Sequence, residues 1–126
     1  MGPNNLLRLN PELIVKQGIL YKKGILQRFN KPYMFYFERR DEGGMGGPYL
    51  KFGKKGKTVN HVLDLGVGSG EIPNTGASVL IAKVAGSHRK IRINTKNNIL
   101  VVKCESISEC EEWIKILCSE GNTNLH

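Results

Sequence analysis

From Gly18 onward, short apolar or alternating runs are separated by clusters of glycine, asparagine and proline, the pattern of consecutive antiparallel strands. Seven runs are predicted as strands: Gly18 to Lys23, Pro32 to Arg39, Pro48 to Gly53, Asn60 to Leu65, Ser78 to Ala85, Arg89 to Thr95 and Ile99 to Cys104. Alternation is clearest in Lys90-Ile91-Arg92-Ile93-Asn94, where the isoleucines take one face and the charges the other. Lys96-Asn97-Asn98 then reads as a hairpin turn. Asp41 to Gly47 and Gly66 to Gly76 are expected to be loose connections without packing.

The pattern changes to a helical period at the end of the chain. Cys110, Trp113, Ile114 and Leu117 fall at i, i+3, i+4 and i+7, with Glu109, Glu111, Glu112 and Lys115 on the other face. Ser106 followed by Glu109 matches a capping box, and Gly121 supplies the stop. Ahead of the strands, Leu6 to Val15, interrupted by Pro11, reads as a short amphipathic lead-in. The expected organisation is therefore a lead-in over 1–15, one mainly β domain over 16–120 and a tail over 121–126.

Two segments of this arrangement resemble pleckstrin homology (PH) domains. Lys16-Gln17-Gly18-Ile19-Leu20-Tyr21-Lys22-Lys23-Gly24 is similar to the family's first strand and basic turn. Cys104-Glu105-Ser106, with Glu111-Glu112-Trp113-Ile114 and Leu117, is similar to its last strand running into the C-terminal helix. The resemblance spans Val15 to Glu120. It implies a seven-stranded bent antiparallel sandwich, or partial barrel, capped by one C-terminal α-helix. In that fold Trp113 is structural and fills one end of the barrel. The single compact domain is also similar to the acylated PH proteins of apicomplexan parasites, which sense phosphatidic acid. The start, with Gly2 followed by Pro3, is a poor acylation signal and reads as a cloning scar.

At 126 residues the chain fits one domain, and nineteen Lys and Arg against eleven Asp and Glu give a formal net charge of +8. That excess points to an anionic partner without choosing one. Its distribution is more informative. Lys22 to Lys57 carries ten basic residues against three acids, and Lys83 to Lys96 carries five with no acid, whereas Glu105 to Glu120 carries five acids and one lysine. The resembled fold brings the first-to-second and third-to-fourth strand turns together at the end opposite the helix, which implies one basic pole opposing an acidic helix. Lys22, Lys23, Arg28, Lys31, Lys51, Lys54, Lys55 and Lys57 are the candidate lipid-headgroup residues. Ile25 and Leu26, apolar residues in a basic turn, are the candidate membrane-inserting pair. Phe29 reads as core.

The phosphoinositide signature of the resembled family needs a basic-x-Arg pair on the second strand. Asn30 and Pro32 occupy those positions, which favours phosphatidic acid or a mixed anionic surface over a specific phosphoinositide. Gly66-Val67-Gly68-Ser69-Gly70 lacks the ending of a phosphate-binding P-loop. Cys104, Cys110 and Cys118 have no metal-ligand spacing and read as reduced core thiols, so neither a metal nor a cofactor is expected. His88 beside Arg89 and Lys90 reads as an ordinary loop histidine. No nucleophile, base and orienter come together in the sequence, and no catalysis is expected. The expected function is a cytoplasmic module peripherally bound to an anionic phospholipid membrane. Binding to a protein partner is the second class. Nucleic acid is disfavoured because aromatic residues make up only 7% of the chain, too few for a stacking platform.

Overall fold

The computed structural model describes residues 6–23, 28–43, 46–120 and 123–125. Its strands are β1 (Ile14–Lys23), β2 (Phe29–Glu38), β3 (Tyr49–Lys54), β4 (His61–Asp64), β5 (Val79–Lys83), β6 (Lys90–Thr95) and β7 (Ile99–Lys103). Helix α1 (Ile107–Glu120) follows, then a short strand β8 (Thr123–Leu125). The sheet order is β4-β3-β2-β1-β7-β6-β5-β8. The first seven strands pair antiparallel, and β8 adds to β5 in parallel. The expected seven strands and closing helix are present.

The alternation in each strand decides which residues share the core. Leu20 of β1, Tyr33, Phe35 and Phe37 of β2, Leu50 and Phe52 of β3 and Leu63 of β4 turn inward. Val79, Ile81, Ile91, Ile93 and Val102 face them from the second half of the sheet. The halves meet where Tyr21 pairs with Lys103 and Lys22 with Val102, a seam that lets one sheet fold around one core. Helix α1 closes it with Cys110, Trp113, Ile114 and Leu117, and Trp113 is fully buried. The Ser106 hydroxyl accepts from the Glu109 N–H at 3.1 Å and caps the helix start. Lys16 ties the helix to β1 through Glu112 at 3.4 Å and Glu109 at 3.7 Å.

Three stretches differ from the sequence reading. Strand β1 begins at Ile14, so the end of the lead-in is already paired, and Ile14 opposes Glu38. Residues 8–13 of the lead-in pack on the outer face of the sheet, where Leu13 is buried and its carbonyl accepts from the Arg39 N–H at 2.9 Å. Gly47 and Gly66, one from each glycine-rich connection, are held on one carboxylate. Asp64 Oδ1 accepts the Gly47 N–H at 3.1 Å and the Gly66 N–H at 2.9 Å, while Arg40 donates to the Gly47 carbonyl at 2.9 Å. Glycine is needed for this close approach, because a Cβ on Gly66 would collide with the Gly47 carbonyl.

Candidate functional site

Consecutive residues of a strand point to opposite faces, and this rule divides the basic pole in two. Leu20 lies inward, so Lys22 does too, and its register partner Lys31 shares that face. Lys54 joins them, because it pairs with the inward Tyr33. The turn after β3 is drawn beside β2 by the Lys55 N–H, which donates to the Pro32 carbonyl at 3.2 Å. Lys31, Lys54, Lys55 and Lys57 are exposed, as is Arg28 just before β2.

The floor of this mouth is aromatic. The Lys22 ammonium stands 4.8 Å from the Tyr33 ring centroid and 5.1 Å from that of Phe52, contacts that hold a cation in place without neutralising it. Phe52 stacks on Phe35 at 4.5 Å and on His61 at 4.8 Å. A cavity of about 240 Å³ opens here, lined by Lys22, Phe52, His61, Leu63, Asn98 and Ile99 among others. Burial, and secondarily the Lys22 ammonium, holds the His61 imidazole below the ordinary histidine range. Its Nδ1 lies 2.7 Å from the Asn60 side-chain oxygen. No carboxylate forms an ion pair with Lys22, Lys31 or Lys54 among the described residues. What the mouth presents is a cationic rim over a flat apolar base, suited to an anion that brings hydrocarbon or a ring with it.

Two headgroup candidates stand elsewhere. Lys51 is not at the mouth. It points to the outer face, where the lead-in covers it to 1% exposure. Its ammonium pairs with Glu38 at 2.9 Å and donates to the Arg8 carbonyl at 2.6 Å. With those bonds formed under a covering segment, it has no ammonium to offer a headgroup. Lys23 also leaves the mouth, because it follows Lys22 in the strand. A register shift between them brings Lys23 opposite Phe29. Phe29 is accordingly half-buried on the outer face rather than in the core, with the Lys23 ammonium 5.5 Å from its ring centroid. Ile25 and Leu26 lie outside the described residues.

Sequence reasoning missed His61, Asn98 and Ile99. The signal for His61 was available, since it stands two residues before the inward Leu63 in the same strand. Ile99, 69% exposed at the start of β7, gave no such signal. Burial raises the Cys104 and Cys110 thiols above the ordinary range, which disfavours the thiolate form at both. The described residues hold no cluster that could bind a metal ion, and no helix among them is long and apolar enough to cross a membrane.

No protein-family model and no curated protein matches the sequence. Solved structures do match. The carboxyl-terminal PH domain of pleckstrin superposes with a TM-score of 0.62 at 20% identity, over 85% of this chain and 95% of that one. The same domain in complex with D-myo-Ins(1,2,3,4,5)P5 matches with a TM-score of 0.62 at 20% identity, over 86% of this chain and 98% of that one. A structure of human RhoA in complex with the DH/PH fragment of PDZRHOGEF matches with a TM-score of 0.55 at 16% identity, over 85% of this chain and 28% of that one. Identities this low speak for architecture alone, and the architecture is the pleckstrin homology fold.

Proposed function

We propose that this chain is a non-enzymatic module that docks peripherally on an anionic membrane by taking a phosphate-bearing lipid headgroup into the mouth. The observation that carries the reading is the cross-strand pair Lys22 and Lys31 on the inner face. Like charges directly opposite one another destabilise a sheet. Here Lys22 stands above an aromatic floor, and no carboxylate is paired with either lysine among the described residues. A phosphate between them removes the repulsion and gains two charge-assisted hydrogen bonds. Lys54, Lys55, Lys57 and Arg28 extend the field around this centre. Ile25 and Leu26 would add apolar burial to charge attraction, the pairing that stable peripheral binding needs.

Within this reading phosphatidic acid, or a mixed anionic surface, is favoured over a specific phosphoinositide. Pro32 pairs with Tyr21, on the outward face, so β2 offers the mouth one lysine rather than a fork of donors. The inositol phosphate bound in the pleckstrin structure favours the alternative, a polyphosphorylated inositide. Co-sedimentation with phosphatidylcholine vesicles, alone and then with phosphatidic acid, phosphatidylserine or single phosphoinositides, tests both. Binding that appears with phosphatidic acid and falls in Lys22→Ala/Lys31→Ala supports the mouth reading. Selective capture by one bisphosphorylated inositide replaces the lipid preference. Binding to none of the anionic vesicles defeats the lipid reading and leaves a protein partner.

A further inference from the structure

The sheet ends on an edge that its own last strand covers only in part. Strand β8 runs parallel to β5 with Thr123 beside Val79, Asn124 beside Leu80 and Leu125 beside Ile81, and it touches α1 as well. Strand β5 continues for two residues more, Ala82 and Lys83, which pair with Arg92 and Ile91 of β6. The Val84 N–H donates to the Lys90 carbonyl at 3.1 Å. Antiparallel alternation then assigns the backbone groups of Leu80 and Ala82 to β6 and turns those of Val79, Ile81 and Lys83 to the other side. Val79 and Ile81 have β8 there, whereas among the described residues no strand lies beside Lys83. At that point a mostly apolar hollow of about 310 Å³ lies between β5 and α1, lined by Lys83, Glu111, Ile114, Lys115 and Cys118.

We propose that the edge of β5, with the hollow beside α1, is a docking groove for an extended peptide of a partner protein, apolar and then acidic toward its C-terminal end, and that β8 occupies the groove until such a peptide displaces it. Strand β8 itself shows that a strand fits here. An incompletely paired edge is a template for a strand from another chain, in which main-chain hydrogen bonds supply affinity and side-chain pockets supply choice. As an occupant β8 is weak on two counts. It is three residues long, against about five or six for an ordinary strand, and its pairing is parallel. Its advantage is tethering, because only residues 121 and 122 separate it from α1, and a short linker gives an effective concentration of about millimolar. A peptide running in the same direction and continuing two residues past Ile81 reaches Ala82 and Lys83 and fills the hollow. The charges there select an acid. Lys83 and Lys115 are exposed and form no ion pair among the described residues, against the single carboxylate of Glu111. The hollow shares no lining residue with the mouth, so docking here leaves the mouth free.

The groove does not depend on the mouth reading. The probe is a fluorescein-labelled peptide with the sequence of residues 121–125 followed by a valine and an aspartate, which in the β8 register stand level with Ala82 and Lys83. It is titrated by fluorescence anisotropy into the full chain and into Thr123→Pro/Asn124→Pro, where two consecutive prolines remove a β8 backbone donor on either alternation and free the edge. Thermal unfolding confirms that the variant is folded. The prolines should tighten binding about tenfold or more, the factor expected when a tethered occupant fills the groove about nine-tenths of the time. Lys83→Glu in the proline background should lose most of that gain for the aspartate probe and recover it for a probe ending in lysine. Binding no tighter in the folded proline variant, or a gain indifferent to Lys83→Glu, overturns the proposal. So does the absence of binding to either chain. The amide spectrum of the wild-type chain gives a readout free of substitutions. Excess probe should shift Ile81, Lys83 and Cys118 and leave Lys22 and Lys31 in place, and the reverse pattern overturns the groove. A wild-type dimer that the prolines abolish assigns the edge to β8 of a second copy and overturns it as well.

Discussion

Lys51 offers a sharp separation between a lysine that binds and a lysine that holds the fold. In Lys51→Met the chain keeps a side chain of similar length but leaves Glu38, 1% exposed, without its ammonium partner. Removing one member of a buried ion pair costs about 3–5 kcal/mol, since the surviving charge stays desolvated. The Glu38 carboxylate retains the Asn10 N–H at 2.9 Å, and the Arg8 carbonyl loses its donor, so the lead-in loosens as well. Against a domain stability of about 5–15 kcal/mol this is a large fraction, equivalent to a drop of roughly 10–20 °C in melting temperature. Glu38→Leu/Lys51→Met removes the stranded charge and recovers part of the loss, so a double-mutant cycle by urea denaturation should give a coupling of about 1–3 kcal/mol. At a temperature where Lys51→Met is folded, its vesicle binding should equal that of wild type. A variant that melts like wild type but loses vesicle binding as Lys22→Ala/Lys31→Ala does would refute the burial argument and return Lys51 to the headgroup set.

Gly18 packs against the indole, where a Cβ would stand 3.7 Å from Trp113 Cζ2, so Gly18→Ala should leave thermal stability nearly unchanged while Gly18→Leu lowers it by about 1–3 kcal/mol. Trp113→Ala empties the centre of the core and should cost about 3–5 kcal/mol, read as loss of the cooperative transition or a collapse of the urea midpoint. His61 is held below its usual value by burial and by Lys22, so its neutral form supports the fold above an unfolded value of about 6.5, and that support fades as pH falls through the folded value. An anion docked beside Lys22 opposes that depression. The His61 ring-proton titration followed by NMR should therefore move upward on adding short-chain phosphatidic acid, and vesicle binding should strengthen as pH falls. A titration that does not move would place the anion elsewhere.

Strand alternation made most of the fold legible, because an inward apolar set in a half-buried strand leaves a period of two, as Ile91 and Ile93 show. The helix was equally plain, since Cys110, Trp113, Ile114 and Leu117 all bury on one side. Alternation reports which face a residue takes but not what covers that face. Lys51 therefore read as a surface lysine, and its cover comes from a lead-in whose Pro11 interrupts any period. The same limit hid the Asp64 knot, whose partners are backbone N–H groups that leave no trace in side-chain pattern. Lys22 and Lys23 were legible as basic and as neighbours, and a strict period of two separates them. The register shift that carries Phe29 to the outer face is a backbone irregularity with no sequence mark.

The mouth is tested most directly by following the backbone amides of the folded chain by NMR while short-chain phosphatidic acid is added. The expected result is saturable shifts at Lys22, Lys31, Lys54 and His61, with the helix from Ile107 to Glu120 unmoved. Shifts confined to that helix, or none at the four mouth residues at saturating lipid, would contradict the assignment of the mouth as the headgroup site.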